Sequence, residues 1–306
     1  MKVLIFGGAG MVGSSVSSVL KNSSYIEKVS VSTRKDTDLF SYEQTFNKID
    51  KEQPNIIINC AAMVGGIVAN NSLPFDFIVN NLKINLNIIE SLRSKKNINL
   101  INLGSSCIYP LGAKVPISEN ELMGGSLEPT NSAYAMAKLS SIEMGAALSR
   151  QYGNNVLNLM PTNLYGERDN FDEKSSHVIP GLIAKIHKAK INTSSSFNVW
   201  GSGKPLREFL HVDDLSNAIL FLIKNNITTG IYNVGSGEEV SILKLANTIK
   251  SIIGFKGDLN FDKNFPDGNP RKLLDSSKLK NLGWAPAIGL EQGLKKTYSW
   301  FLSNSN

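Results

Sequence analysis

A tyrosine and a lysine stand four residues apart in Ser132-Ala133-Tyr134-Ala135-Met136-Ala137-Lys138. On a helix that spacing puts a phenol and an ammonium on one face, with Cβ atoms about 6 Å apart. A free phenol, of pKa about 10, is a poor proton donor or acceptor near neutral pH unless a neighbouring cation stabilises the phenolate. Lys138 is placed to be that cation. A hydroxyl able to hold a carbonyl oxygen occurs in Gly104-Ser105-Ser106-Cys107, where Ser105 is the first choice and Ser106 the second. A phenol, a lysine and a serine are the groups that ketone reduction by a nicotinamide requires: one gives a proton to oxygen, one steadies the phenolate, one polarises the carbonyl. Cys107 and His177 add a second possibility. A thiol whose pKa has fallen from about 8.5 in an electropositive site is a base. With an imidazole as its partner, it could remove and return protons on carbons beside the same ketone, inverting them. Either residue read alone has a plainer role: a buried small hydrophobe for the cysteine, a surface or capping group for the histidine.

The cofactor for such chemistry has its own signature in Gly7-Gly8-Ala9-Gly10-Met11-Val12-Gly13, directly after the apolar run KVLIF. Glycines between a first strand and a helix let the backbone turn tightly and approach a pyrophosphate seated on the helix N-terminus. The next expected strand, near 29–32, ends in Thr33-Arg34-Lys35. An acidic residue there would hold the ribose 2′-hydroxyl of NAD, whereas Arg34 suits the 2′-phosphate of NADP. NADPH is therefore expected, with Asp36 or Asp38 within reach of adenine or ribose. Lys185 and Arg207 could meet a diphosphate, and Trp200 could stack on a base or pack in a core.

The elements that must position these groups follow a strict alternation of strand and helix. Strands are expected at 2–6, 29–32, 56–59, 100–103 and 156–160, with long helices over 74–96 and 133–152, which predicts a doubly wound parallel sheet. The helical stripe Phe75, Ile78, Leu82, Ile89 and Leu92, interrupted by Asn85, is expected to be core or a dimer face. After Gly166 the pattern changes to a polar loop, a helix over 178–190, a strand at 231–234, a helix over 242–253 and a last helix over 290–302. Together these give an α/β protein in which a Rossmann-type domain, 1–165 with about 205–235 returning to it, carries a smaller mixed α/β lobe built from 166–204 and 236–306. A substrate would lie between the two.

Composition narrows the partners. The 306 residues are 42% hydrophobic and 19% charged, as in ordinary globular proteins. Cys60 and Cys107 are the two cysteines and form no disulfide framework. The start of the chain enters a strand without a leader pattern, and no apolar run is long enough to span a bilayer, so the cytoplasm is expected and a membrane is not. The net charge of +6 suits an anionic ligand. Its lysines and arginines are scattered and no nucleic-acid motif accompanies them, so a nucleotide is expected rather than a polymer. No metal-ligand spacing is present.

Taken together, the glycine loop and the Tyr134/Lys138 pair resemble the extended short-chain dehydrogenase/reductases, a group dominated by nucleotide-sugar enzymes. Longer strings resemble its epimerase/reductases of GDP-4-keto-6-deoxy sugars: residues 64–71 (VGGIVANN), 104–110, 127–131 (LEPTN), 160–166, 176–180 (SHVIP), 200–203 (WGSG), 207–214, Pro266-Asp267-Gly268 and 270–275. The resemblance implies that Tyr134 is the acid, with Ser105 and Lys138 completing a triad, and that Cys107 and His177 are the epimerising pair, Cys107 the base. It places NADP(H) against residues 7–13, Arg34, Gly104, Ser105, Ser106, Cys107, Lys138, Pro161-Thr162-Asn163-Leu164 and His177. It places the GDP-sugar against Lys185, Trp200, Arg207 and Asp267. It implies a homodimer, for which helices carrying Ile78/Leu82 and Met136/Ile142 are the expected faces. Some members have a basic residue where this chain reads Gly8-Ala9, which leaves Arg34 to hold the 2′-phosphate. The substrate is expected to be GDP-4-keto-6-deoxy-D-mannose or another GDP-4-keto-deoxy sugar, such as a colitose or deoxyheptose precursor. A catalytically silent relative would lack Tyr134 or Lys138.

Overall fold

The computed structural model of the protein describes residues 1–173, 175–264 and 267–304; Pro266 of the motif above lies outside them. In chain order its first half comprises β1 (Lys2–Phe6), α1 (Met11–Lys21), β2 (Lys28–Ser32), α2 (Tyr42–Glu52), β3 (Ile56–Asn59), α3 (Ile67–Ser72), α4 (Pro74–Glu90), β4 (Asn99–Leu103), α5 (Ser132–Tyr152) and β5 (Val156–Pro161). The second half comprises β6 (Asn163–Tyr165), α6 (Val178–Ile191), β7 (Ser196–Trp200), β8 (Leu206–His211), α7 (Val212–Lys224), β9 (Gly230–Val234), β10 (Glu239–Ser241), α8 (Ile242–Ile253), β11 (Asp258–Asp262), β12 (Arg271–Lys272), α9 (Ser277–Asn281) and α10 (Leu290–Asn304).

The main sheet has six strands in the order β2-β1-β3-β4-β5-β9, every neighbouring pair parallel. Its inner strands are largely apolar because both faces are covered, whereas the edge strand β2 (KVSVS) alternates with polar residues. Val3 and Ile5 of β1 join Val16 and Leu20 of α1 and Leu215 and Leu222 of α7 in one core. Leu4 and Phe6, pointing the other way, join Ile49 of α2, Ile84 and Ile88 of α4 and Leu148 of α5. A run that reads as uninterrupted hydrophobicity thus serves two cores alternately.

A smaller sheet, β10-β8-β12 with β6 also on β8, lies beside the parallel pair β7 and β11. The core beneath them joins α6, α8 and α10 through Ile183, Ile186, Leu245, Ile249, Leu294 and Phe301. Of the stretch 205–235, α7 packs on α1 and β9 completes the main sheet, whereas β8 pairs within the small sheet.

The helix expected over 74–96 is shorter and is preceded by a separate one. Pro74 occupies the first turn of α4, where its missing N–H costs nothing, but it cannot donate to a preceding turn, so α3 ends before it. At the other end the Asn154 side-chain amide donates to the carbonyls of Leu92 and Lys95, holding the tail of the helix in turns. Phe75, counted in the apolar stripe, is 73% exposed. Asn85, which interrupts that stripe, is buried and accepts a hydrogen bond from Asn59 at 3.0 Å.

Candidate active site

The glycine loop sits between β1 and α1 and has no room for a side chain at Gly7, Gly8 or Gly13. Gly7 has φ +75°, and a Cβ there would come within 2.6 Å of the Ala61 nitrogen. A Cβ on Gly8 would meet the Val31 side chain, and one on Gly13 would lie 2.6 Å from the Gly8 Cα and run into the Gly7 carbonyl. Gly10 is the N-cap of α1, whose first turn has no acidic residue. Orphan N–H groups and the positive end of the helix dipole are therefore free to meet a phosphate. This cradle fits a dinucleotide. At the end of β2 the Arg34 side chain is exposed. Asp36 is used locally, its carboxylate accepting from the Thr33 N–H at 2.8 Å and the Thr33 hydroxyl at 2.7 Å.

The carboxyl ends of β4 and β5 supply the reacting groups. Gly104 faces the Met160 sulfur with no space for a Cβ, and the chain then makes a short 3₁₀ turn. Ser105 caps that turn, its hydroxyl accepting from the Cys107 N–H at 3.1 Å. Ser106, the second choice for polarising a carbonyl, is buried. From α5, Tyr134 and Lys138 reach the same place: the Lys138 Nζ lies 5.8 Å from the centre of the Tyr134 ring and donates to the Leu103 carbonyl at 2.7 Å. The Tyr134 ring packs edge-on against Phe77 of α4 with centroids 6.3 Å apart. Beyond Pro161, the Thr162 hydroxyl and the Asn163 amide both donate to the Glu208 carbonyl. The Thr162 N–H donates to Val234, and Leu164 packs against the core on the α1 face.

Electrostatically, burial outweighs charge pairing. Lys138 is 3% exposed, and desolvation brings its pKa down to about 8, the neighbouring Cys60 thiol opposing this in part. Tyr134 does not acquire the lowered pKa expected of it. Burial and the Cys107 charge push it up, while the Ser105 hydroxyl partly offsets them. In the free protein Tyr134 is therefore a protonated phenol that holds its proton more tightly than a free one, so donation depends on the Lys138 ammonium stabilising the phenolate. Cys60 packs beneath this group, its thiol pushed up to about 12 by burial; an apolar neighbourhood of that kind was not evident from its place in the sequence.

His177 stands apart. It is the N-cap of α6 without a side-chain cap bond, and among the described residues no hydrogen bond or ion pair ties it to Tyr134 or Cys107. Its ring is open to solvent yet surrounded by protein, and desolvation lowers its pKa. The backbone beside it is firmly placed: the Gly66 N–H donates to the Ser175 carbonyl at 3.1 Å, and a Cβ on Gly66 would lie 2.6 Å from the Ser176 oxygen.

A second cluster assembles the other expected residues. The Lys185 ammonium lies 4.3 Å from the centre of the Trp200 ring, and Trp200 is 46% exposed. Asp267 receives the Ser202 N–H at 2.6 Å and the Ser202 hydroxyl at 2.7 Å, which hold its carboxyl below the usual range. The Arg207 guanidinium donates to the Leu206 carbonyl at 2.9 Å and, at 3.4 Å, to the Asp267 carbonyl. Ser202 was not singled out in the sequence, although it lies inside the WGSG string. Ile67 is a further addition: its side chain and the Arg207 guanidinium both lie within 4 Å of where a Cβ on Gly268 would stand. No helix among the described residues is long and apolar enough to cross a membrane.

Comparison with known proteins gives this arrangement its context. The model of the NAD dependent epimerase/dehydratase family matches residues 3–235. A GDP-L-fucose synthase of Sinorhizobium fredii is 47% identical over 304 residues, covering 99% of this chain and 96% of its own. Among solved structures, a GDP-L-fucose synthetase from Naegleria fowleri bound to NADP superposes with a TM-score of 0.90 at 30% identity, covering 99% of this chain and 93% of that one. A GDP-6-OMe-4-keto-L-xylo-heptose reductase from C. jejuni superposes with a TM-score of 0.92 at 30% identity, covering 99% and 98%.

Proposed function

This chain belongs to the NAD dependent epimerase/dehydratase family, and from that premise we propose that it carries out the GDP-L-fucose synthase reaction. It inverts C3 and C5 of GDP-4-keto-6-deoxy-D-mannose and reduces C4 with NADPH, as a cytoplasmic homodimer. The observation that carries the reading is the meeting of Tyr134, Lys138, Ser105 and Cys107 at the ends of β4 and α5, in a chain 47% identical to a GDP-L-fucose synthase along nearly its whole length.

The residues divide the work as follows. Residues 7–13 seat the dinucleotide pyrophosphate against α1, and Arg34 meets the 2′-phosphate. When bound, the nicotinamide supplies the hydride for C4. Ser105 and Tyr134 hold the C4 carbonyl oxygen and stabilise the negative charge it gains when a neighbouring carbon loses its proton. Cys107, as thiolate, takes that proton. His177 returns one from the opposite face as imidazolium, which desolvation makes a stronger acid than a free one and a less populated one. Once both carbons are inverted, Tyr134 gives its proton to O4 as C4 is reduced, and the Lys138 ammonium stabilises the phenolate left behind. Lys185, Trp200, Arg207 and Asp267 hold the GDP portion, the two cations meeting the diphosphate.

The homodimer rests on the outer surface of α4 and α5, where Met136 and Leu86 are each 47% exposed and Ile78 and Leu82 are half-buried. Ile142, expected on that face, is 5% exposed and belongs to the core with Ile108 and Leu139, so it leaves the proposed interface.

The test is incubation with GDP-4-keto-6-deoxy-D-mannose and NADPH, with cofactor oxidation followed by absorbance and the product sugar identified by NMR. GDP-L-fucose is expected, with its formation lowered at least a thousandfold in Tyr134→Phe. A C4-reduced sugar with C3 and C5 uninverted would overturn the epimerase half of the reading. Turnover confined to a GDP-4-keto-heptose would assign the protein to the heptose branch instead.

A further inference from the structure

Among the described residues no side-chain hydrogen bond or ion pair holds His177, so its position is inherited from the loop that precedes it. That loop is tied down at both ends of a short relay. Phe171 stacks on Trp300 of α10, with centroids 5.9 Å apart and planes 23° from parallel, and lies 4.9 Å from Phe301. Its two chain neighbours carry the anchorage forward. The Asn170 amide donates to the Ser175 hydroxyl at 2.9 Å. The Asp172 carboxylate accepts from the Ser175 N–H at 2.9 Å and the Ser175 hydroxyl at 2.8 Å, while the Asp172 carbonyl accepts from the Ser176 N–H at 3.1 Å. Ser175 in turn receives the Gly66 N–H, next to the α3 segment that reaches Gly268. A second tie at the start of the loop joins Glu167 to Lys296, also on α10, at 3.2 Å.

We propose that Phe171, seated on Trp300 and Phe301, is a positioning residue for His177, so that α10 governs proton return to the substrate carbons and leaves reduction at C4 to groups on β4 and α5. This rests on the epimerase/reductase reading above. Among the described residues none of the relay's hydrogen bonds or ring contacts is to Tyr134, Ser105 or Lys138; its nearest approach to them is indirect, through Gly65 beside the Phe77 ring that packs on Tyr134. Loosening Phe171 should therefore separate two activities that share one ketone.

The experiment uses the full-length protein in D₂O with GDP-4-keto-6-deoxy-D-mannose. It measures deuterium entry as deuterium at C3 and C5 of the inverted sugar by NMR, because Cys107 alone could exchange a proton on one face without inverting the carbon, together with NADPH oxidation by absorbance and NADPH affinity by fluorescence. In Phe171→Ala, deuterium entry is expected to fall at least tenfold while NADPH affinity stays within twofold, and the product shifts toward the uninverted C4-reduced sugar. Phe171→Tyr, which keeps the stack, restores deuterium entry to within threefold of the parent. Equal loss of deuterium entry, reduction and NADPH affinity in Phe171→Ala would show a general structural role and overturn the proposal. Unchanged deuterium entry would overturn it as well. Absence of deuterium entry in the unmodified protein would instead overturn the epimerase reading on which the proposal rests.

Discussion

Burial holds Lys138 at a pKa of about 8, low for a lysine, and this sets the direction of its pH dependence. The ammonium is present below that value and disappears above it, so kcat/KM for reduction is expected to be flat near pH 7 and to fall about tenfold per pH unit well above pH 8. A pH–rate profile checks this. In Lys138→Arg the guanidinium stays charged, and the alkaline fall moves beyond the measurable range whatever the residual rate. The Tyr134/Lys138 pair was legible because spacing four is a property of the helix itself. The protonation state was not, since it depends on how many atoms surround each group, and those come from β3, α4 and β4 as well as from α5. Phe171 was invisible for the same reason: its partner Trp300 lies at the far end of the chain.

Helix α1 and the loop before it make a sharper experiment at the scale of the element. Gly13→Ala would press a methyl against the Gly7 carbonyl and the Gly8 Cα, so the backbone must move where the pyrophosphate sits. NADPH affinity is expected to fall at least tenfold in equilibrium titration. Gly289→Ala, outside the loop, is the control, because its Cβ would meet nothing within 4 Å; its affinity is expected to stay within threefold. Elements built from local signals were read closely in the sequence: β1, α5, β5 and α8 begin and end within a residue or two of expectation. The failures have tertiary causes. The strand β6 exists because Asn163–Tyr165 finds β8 to pair with, and α4 stops early because Asn154, far along the chain, claims the carbonyls beyond it.

For the whole molecule, the exposed apolar surface of α4 and α5 predicts the state of assembly. Met136→Glu would place a charge on that face, and sedimentation is expected to show a dimer for the parent protein and a monomer, at micromolar concentration, for the variant; a dimer in both would remove α5 from the interface. The division into a large parallel sheet and a smaller lobe followed from the change of pattern after Gly166. Within the stretch of about 205–235 expected to return to the large domain the route splits: α7 packs on α1 and β9 joins the main sheet, whereas β8 (LREFLH) joins the small one, a choice that only strand pairing decides. That route has a consequence for synthesis. β9 closes the free side of β5, with Leu157 paired to Gly230 and Pro161 to Val234, yet β6, α6, β7, β8 and α7 are all translated between the two. A nascent chain that has emerged through β5 therefore carries a bare, strongly apolar strand edge throughout that interval, the kind of template on which neighbouring chains pair. Ribosome stalling anywhere in that stretch would release a fragment prone to aggregate, and the main sheet becomes safe only when β9 leaves the ribosome.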